Sequence, residues 1–147
     1  MISGKWLEAM TEIAAPSQNK PKHYKELLIW QKGMLLAKAV YGLTASLPAD
    51  ERFGLVSQMR RAAVSVPSNI AEGQARHGTR EFLQFLSHAS GSLAELETQV
   101  LLSIDMEYCT NDDTKGVMGL ISELQKMIVA LRRSLESHSA LATRHYK

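Results

Sequence analysis

Phe82, Leu86, Ala89, Leu93, Leu96, Val100 and Ser103 follow one another at steps of four, three, four, three, four and three residues. Only a helix keeps such a series on one side, since it turns once in about 3.6 residues while a strand alternates at every second one. Sustained over three heptads, the series is a seam for neighbouring helices. The spacing predicts a helix over about 80–107, roughly 42 Å long at about 1.5 Å per residue. Phe85, Leu101, Leu102 and Ile104 are apolar positions off the seam, and the run Ala89-Ser90-Gly91-Ser92 is small enough to let a neighbour come close.

The same period in Val117, Ile121, Leu124, Ile128, Leu131 and Leu135 predicts a helix over about 113–137, with capping oxygens in the preceding turn from Cys109 to Thr114. Another helix is expected over about 24–47, ending near Pro48. There Leu27-Leu28-Ile29-Trp30 and Met34-Leu35-Leu36-Ala37 cover most of the circumference, and a helix apolar nearly all round is buried on more than one side. A lone bundle would leave part of that surface in water, so an interface between copies is expected.

The remaining helix is expected to start at Asp50 as N-cap and run to about Arg76, with Leu55, Met59, Ala62 or Ala63, Val66 and Ile70 inward. Pro67 falls in its middle, where it removes a donor and crowds the carbonyl four residues back, at about 3 kcal/mol. A kink is expected there. Gly73 and Gly78 bracket the end of this helix, and Thr79 is placed to cap the next. No stretch alternates like a strand. The fold class is all-α: an antiparallel up-down-up-down four-helix bundle with a kinked second helix and a short N-terminal helical extension.

That extension is residues 3–14, where Trp6, Met10 and Ile13 share a face, and Pro16-Ser17-Gln18-Asn19-Lys20-Pro21 reads as a linker. A helix this short is marginal alone, so these three residues are expected to dock on the bundle or on a neighbouring copy. The chain therefore divides into an extension and linker (1–22), a four-helix bundle (23–138) and a flexible C-terminal tail (139–147).

The net charge is only +2, but its distribution is uneven. Residues 50–80 carry five Arg against three acids, while residues 81–107 hold five acids and no Lys or Arg. Adjoining basic and acidic helices suggest mutual pairing first and a basic binding face second. Cys109 is the single cysteine, so no disulfide framework exists. No apolar run approaches the roughly 18 residues of a membrane span, and no secretory h-region follows Lys5. A cytoplasmic setting is expected.

Three separated blocks carry a resemblance: Leu28-Ile29-Trp30-Gln31-Lys32-Gly33-Met34, then Arg60 to Gly73, then Gly91-Ser92-Leu93-Ala94-Glu95-Leu96-Glu97-Thr98-Gln99. Together they resemble the four-helix-bundle family of 23S ribosomal RNA intervening-sequence proteins, over about residues 24–137. Its founding members are encoded within insertions in large-subunit ribosomal RNA genes. The resemblance implies a homopentamer of antiparallel bundles. It extends distantly to the accessory proteins of diversity-generating retroelements, pentamers that work with a reverse transcriptase and nucleic acid.

Among the residues themselves, Arg60 and Arg61, with Arg76 and Arg80 further along, form the strongest basic constellation. Pairing with Glu81, Glu95 or Glu97 of the next helix is the first reading of these arginines; guanidinium forks also suit phosphate, which makes the four the candidate nucleic-acid contacts. No exposed aromatic platform can be assigned for reading bases. Structural roles are expected for Trp30, for Pro67, for Asn69 as a partner (with Ser68) of groups freed by the proline, for Glu72 as a local cap, and for Glu95 and Glu97 in salt bridges. The Glu-x-x-His motifs of di-iron bundles are missing, His23, His77, His88, His138 and His145 form no i,i+4 pair, and no phosphate-binding or nucleophile motif occurs. No cofactor, metal or enzymatic activity is expected. The expected function is a non-catalytic homo-oligomeric accessory that binds structured RNA or a nucleoprotein partner through basic surface. The alternative is an oligomeric scaffold or protein-partner adaptor without nucleic-acid affinity.

Overall fold

The four apolar stripes become four helices: α1 (Leu28–Thr44), α2 (Leu55–Ala75), α3 (Thr79–Asp105) and α4 (Asn111–Arg144). The computed structural model describes Tyr24 and residues 27–144, with side chains as far as His138. Trp6, Met10, Ile13 and the linker lie outside the described residues. A 3₁₀ turn, Ala49–Glu51, connects α1 to α2. Helix α2 packs on both α1 and α3, and α4 closes the bundle against the same two helices. Contacts match Gly33 with Pro67 and Thr44 with Arg60, so residue numbers rise along α1 as they fall along α2. Gly73 beside Phe85 and Met59 beside Ser103 give the same reversal between α2 and α3.

The seam of α3 faces inward as its spacing requires. Leu86, Ala89, Leu93, Leu96, Val100 and Ser103 are fully buried, and Phe82 is half-buried. They meet Leu36 and Val40 of α1, Met59, Val66 and Ile70 of α2, and Ile121, Leu124 and Ile128 of α4 in one continuous core. Helix α1 spends its wide apolar surface on two neighbours, α2 and α4, leaving Met34 and Tyr41 as its exposed large residues. Exposed apolar surface is as prominent on α3 and α4, at Leu101, Leu102 and Val129. Between α1 and α4, Lys32 pairs with Glu123. Burial lowers the Lys32 pKa, so its ammonium depends on that carboxylate.

Glycine sets the spacing of α2 on both sides. A Cβ at Gly33 would sit 3.2 Å from the Pro67 Cβ and 3.3 Å from its backbone nitrogen. A Cβ at Gly73 would sit 2.6 Å from the Phe85 Cβ. Pro67 thus presents its ring, with no N–H to satisfy, to a neighbouring helix at very short range. Around it, Ser65 donates to the Ala62 carbonyl (2.7 Å), Ser68 to Val64 (2.8 Å) and Asn69 Nδ2 to Ser65 (2.7 Å). The carbonyl that Pro67 leaves free belongs to Ala63, so Ser68 and Asn69 serve its neighbours and not the freed group itself.

Helix ends depart most from expectation. Helix α1 stops at Thr44, whose hydroxyl donates back to Val40 O at 2.7 Å. Asp50 is not the cap of α2. The Glu51 Oε2 accepts the Leu55 N–H at 3.0 Å, and Gly54 makes room for it, since a Cβ there would lie 2.8 Å from that oxygen. The second Glu51 oxygen accepts the Tyr108 hydroxyl at 3.2 Å. Gly73 lies inside α2 and does not bracket its end; the left-handed turn residue is His77, with φ 60°. Gly78, not Thr79, occupies the N-cap position of α3. Glu107, with φ 62°, closes α3: Tyr108 N–H reaches Ser103 O and Glu107 N–H reaches Ile104 O, both at 2.9 Å. Helix α4 begins on a reciprocal cap, as the turn chemistry suggested. Thr110 N–H donates to Asp113 Oδ2 at 2.9 Å, and Asp113 N–H to Thr110 Oγ1 at 3.1 Å. It then continues to Arg144, past the expected end. Among the described residues, no helix is long and apolar enough to cross a membrane.

Two stability tests follow. Gly73→Ala gains helix propensity of about 1 kcal/mol, yet drives a methyl into Phe85, and overpacking of about 1–3 kcal/mol decides the sign. Its melting temperature falls, whereas Gly119→Ala, with open space around it, holds or rises. The Thr110 N–H and hydroxyl hold the Asp113 pKa below the ordinary carboxylate range. Its contribution is therefore complete above the unfolded-state pKa and is lost as pH falls through the depressed folded value. Thermal melts from neutral to acid pH will show a shallower acid decline in Asp113→Asn than in the parent chain.

Candidate functional site

Helix geometry puts Arg60 and Arg61 about 100° apart on α2, and their surroundings differ accordingly. Arg60 is half-buried: Nε donates to Thr44 Oγ1 at 2.9 Å, and its guanidinium lies 4.5 Å from the centre of the Tyr41 ring. Arg61 is exposed, with no hydrogen bond or ion pair among the described residues. At the far end of α2, Arg76 pairs with Glu72 at 3.2 Å and lies over the Phe85 ring at 5.4 Å. Arg80 is exposed on the first turn of α3. About 24 Å of helix separates Arg60 from Arg76, so the four arginines form two pairs at opposite ends and not one patch. Among the described residues, the acids expected to neutralise them, Glu81, Glu95 and Glu97, form no ion pair with them. Helices α2 and α3 meet through small and apolar residues such as Ala62, Val66, Gly73 and Ala89.

The structure adds two aromatic groups that the sequence did not reveal. Phe53 is 90% exposed, and Arg52 lies over its ring at 5.7 Å. Tyr41 is 47% exposed. Tyr41, Arg52, Phe53, Arg60, Arg61 and Val64 line one open groove of about 700 Å³. Phe53 belongs to no helical stripe, so periodicity is silent about it. Its one sequence signal is position, a large aromatic between Arg52 and Gly54 in a connector.

The remaining candidates have structural partners. Gln99 Nε2 donates to Glu95 at 3.2 Å and Gln125 Nε2 to Glu97 at 3.1 Å, so both carboxylates accept from amides where salt bridges were expected. The Glu97–Gln125 bond links α3 to α4. Trp30 is half-buried and packs edge-on against Tyr24, with ring centres 5.4 Å apart. Glu72 binds Arg76 and caps nothing. Burial, with some help from Asp113, pushes the Cys109 thiol up and away from nucleophilic use. A groove of about 720 Å³ between α1 and α4 is lined by Leu35, Lys38, Leu43, Tyr108, Asp113 and Val117, with small residues between them. Among the described residues, no three His, Cys, Asp or Glu side chains gather as a metal site.

Comparison with known proteins agrees with this architecture. A crystal structure of a protein of unknown function from the S23 ribosomal protein family, from Bacteroides thetaiotaomicron VPI-5482, superposes with a TM-score of 0.66. It is 22% identical and covers 71% of this chain and 97% of its own, a likeness of fold. Comparison with curated proteins finds no match. The family described as 23S rRNA-intervening sequence protein matches residues 25–130, a span holding α1, α2, α3 and most of α4. With the close-packed Gly33 and Pro67 and the buried seam of α3 inside that span, the chain belongs to the family of 23S rRNA-intervening sequence proteins.

Proposed function

We propose that this protein is a non-catalytic accessory that assembles with copies of itself and meets structured RNA, or a nucleoprotein partner, through basic surface. The observation that carries the nucleic-acid part is the grouping of Arg52, Arg60 and Arg61 around the exposed rings of Phe53 and Tyr41. Guanidinium groups bind phosphate oxygens bidentately, and exposed rings stack on unpaired bases. Arg60 is already aimed by Thr44 and Tyr41, so ordering it costs little at the moment of contact. Membership in a family named for 23S rRNA intervening sequences supports the same reading. Recognition runs through backbone and stacking, not base edges.

Assembly draws support from the end of α3, where Leu101, Leu102 and the following Met106 are exposed at 46–48%. Val129 of α4 is exposed at 49%. Distinct apolar surfaces on one subunit suit a head-to-tail contact, which gives a ring where its rotation closes, and the family resemblance supports five copies in that ring. A second reading, a scaffold or adaptor without nucleic-acid affinity, is favoured by Arg60 and Arg76 being engaged within the chain.

Fluorescence anisotropy with a structured RNA at low salt separates the two. Binding falls steeply as salt rises, and Arg61→Glu weakens it and reduces the salt slope by about 1. No binding at low salt leaves the scaffold reading alone. Light scattering at micromolar concentration gives a mass of several chains, and Leu102→Glu lowers it; a stable single copy of the parent chain ends the assembly proposal.

A further inference from the structure

We infer that the groove beside the start of α2 takes an unpaired nucleotide, with its base laid on the Phe53 ring and the adjoining phosphates held by Arg61 and Arg52. Resting on the RNA reading above, this makes the site selective for loops and single-stranded segments over duplex.

Charge selects an anionic ligand. Arg52, Arg60 and Arg61 line the groove, and none of its described lining residues is acidic. The carboxylate of Glu51, next in sequence to Arg52, is taken up by the Leu55 N–H and the Tyr108 hydroxyl. Arg60 is fixed against Thr44 and Tyr41 and contributes charge, while Arg61 is exposed and open to a phosphate fork. Arg61 lies about 9 Å along α2 from its first residue, Leu55. Ring and guanidinium therefore address neighbouring parts of one strand, base at one and backbone at the other.

Those arginines alone would suit a duplex equally, and Phe53 decides between the two. Its ring is 90% exposed in the connector ahead of α2. Arg52 lies over it at 5.7 Å, which engages one face and leaves the other to water. Tyr41 is no equivalent, because the Arg60 guanidinium already lies 4.5 Å from the centre of that ring. Bases in an A-form helix have their faces stacked on one another, so a duplex brings phosphates to the arginines and nothing to Phe53. An unpaired base has a free face, and laying it on the ring removes apolar surface of both from water. Room is not limiting: a cavity of about 150 Å³ accepts a benzene-sized ring, and this groove measures about 700 Å³. Stacking serves every base alike, so the site tolerates sequence.

Fluorescence anisotropy on the full chain compares a hairpin RNA bearing an adenine-rich loop with a blunt duplex of equal phosphate number. The hairpin binds more tightly. Phe53→Leu, at a position open to solvent, weakens hairpin binding about tenfold without changing its salt slope, and duplex affinity moves far less. Phe53→Trp keeps the contact, and the indole emission it adds is quenched by the hairpin and not by the duplex. Equal loss for both RNAs in Phe53→Leu, no loss at all, or quenching by the duplex overturns the base on Phe53 and leaves the RNA reading in place. Binding of neither RNA at low salt ends that reading and this site with it.

Discussion

The contact of Gly33 with Pro67 sets the distance on which the bundle depends. A proline inside a helix is a loss of about 3 kcal/mol when the neighbouring space is ordinary. Here the space is not ordinary, because α1 comes so close that no methyl would fit comfortably at position 33. Close backbone approach increases contact along both helices, and dispersion across that contact offsets the missing hydrogen bond. Gly73 repeats the arrangement against Phe85 on the other side of α2. Helix α2 is thus gripped along both flanks, and the face left over carries Arg61 and Val64.

How the charged faces meet follows from the same packing. Sequence alone offers a basic α2 beside an acidic α3, an invitation to pair them. These helices meet through Gly73 against Phe85 and through buried apolar residues, and among the described residues no ion pair joins them. Glu95 and Glu97 then find amide partners, and the arginines find Thr44, Tyr41, Glu72 and the Phe85 ring. Arg61 and Arg80 are exposed and form no ion pair among the described residues. Those are the features on which the binding reading and the scaffold reading divide.

Periodicity made the helices and their inward faces legible, because burial of one stripe is a property of every turn. Leu86, Leu93, Leu96 and Val100 could be named as core from spacing alone. Helix ends could not, since each rests on a single side chain reaching a single backbone group. Asp50 and Glu51 are adjacent acids in the connector, and the one that accepts the Leu55 N–H is Glu51, in space that Gly54 leaves open. His77 takes the left-handed turn that glycine was expected to supply, and Glu107 takes another at the end of α3, each held by hydrogen bonds to the helix it ends. Phe53 was illegible for the opposite reason: it lies in a connector, where no repeat constrains which side faces water.

Glu51 has a wider role than starting a helix. One of its oxygens holds the connector between α1 and α2, and the other holds Tyr108, in the connector between α3 and α4. Burial and that carboxylate both raise the Tyr108 pKa, so the phenol keeps its proton and goes on donating. The two crossovers at this pole are therefore latched by one side chain, and the halves of the molecule that they join cannot loosen there independently. The opposite pole, where His77 and Gly78 turn the chain, has no such latch among the described residues, and the first opening motions of the bundle should begin there.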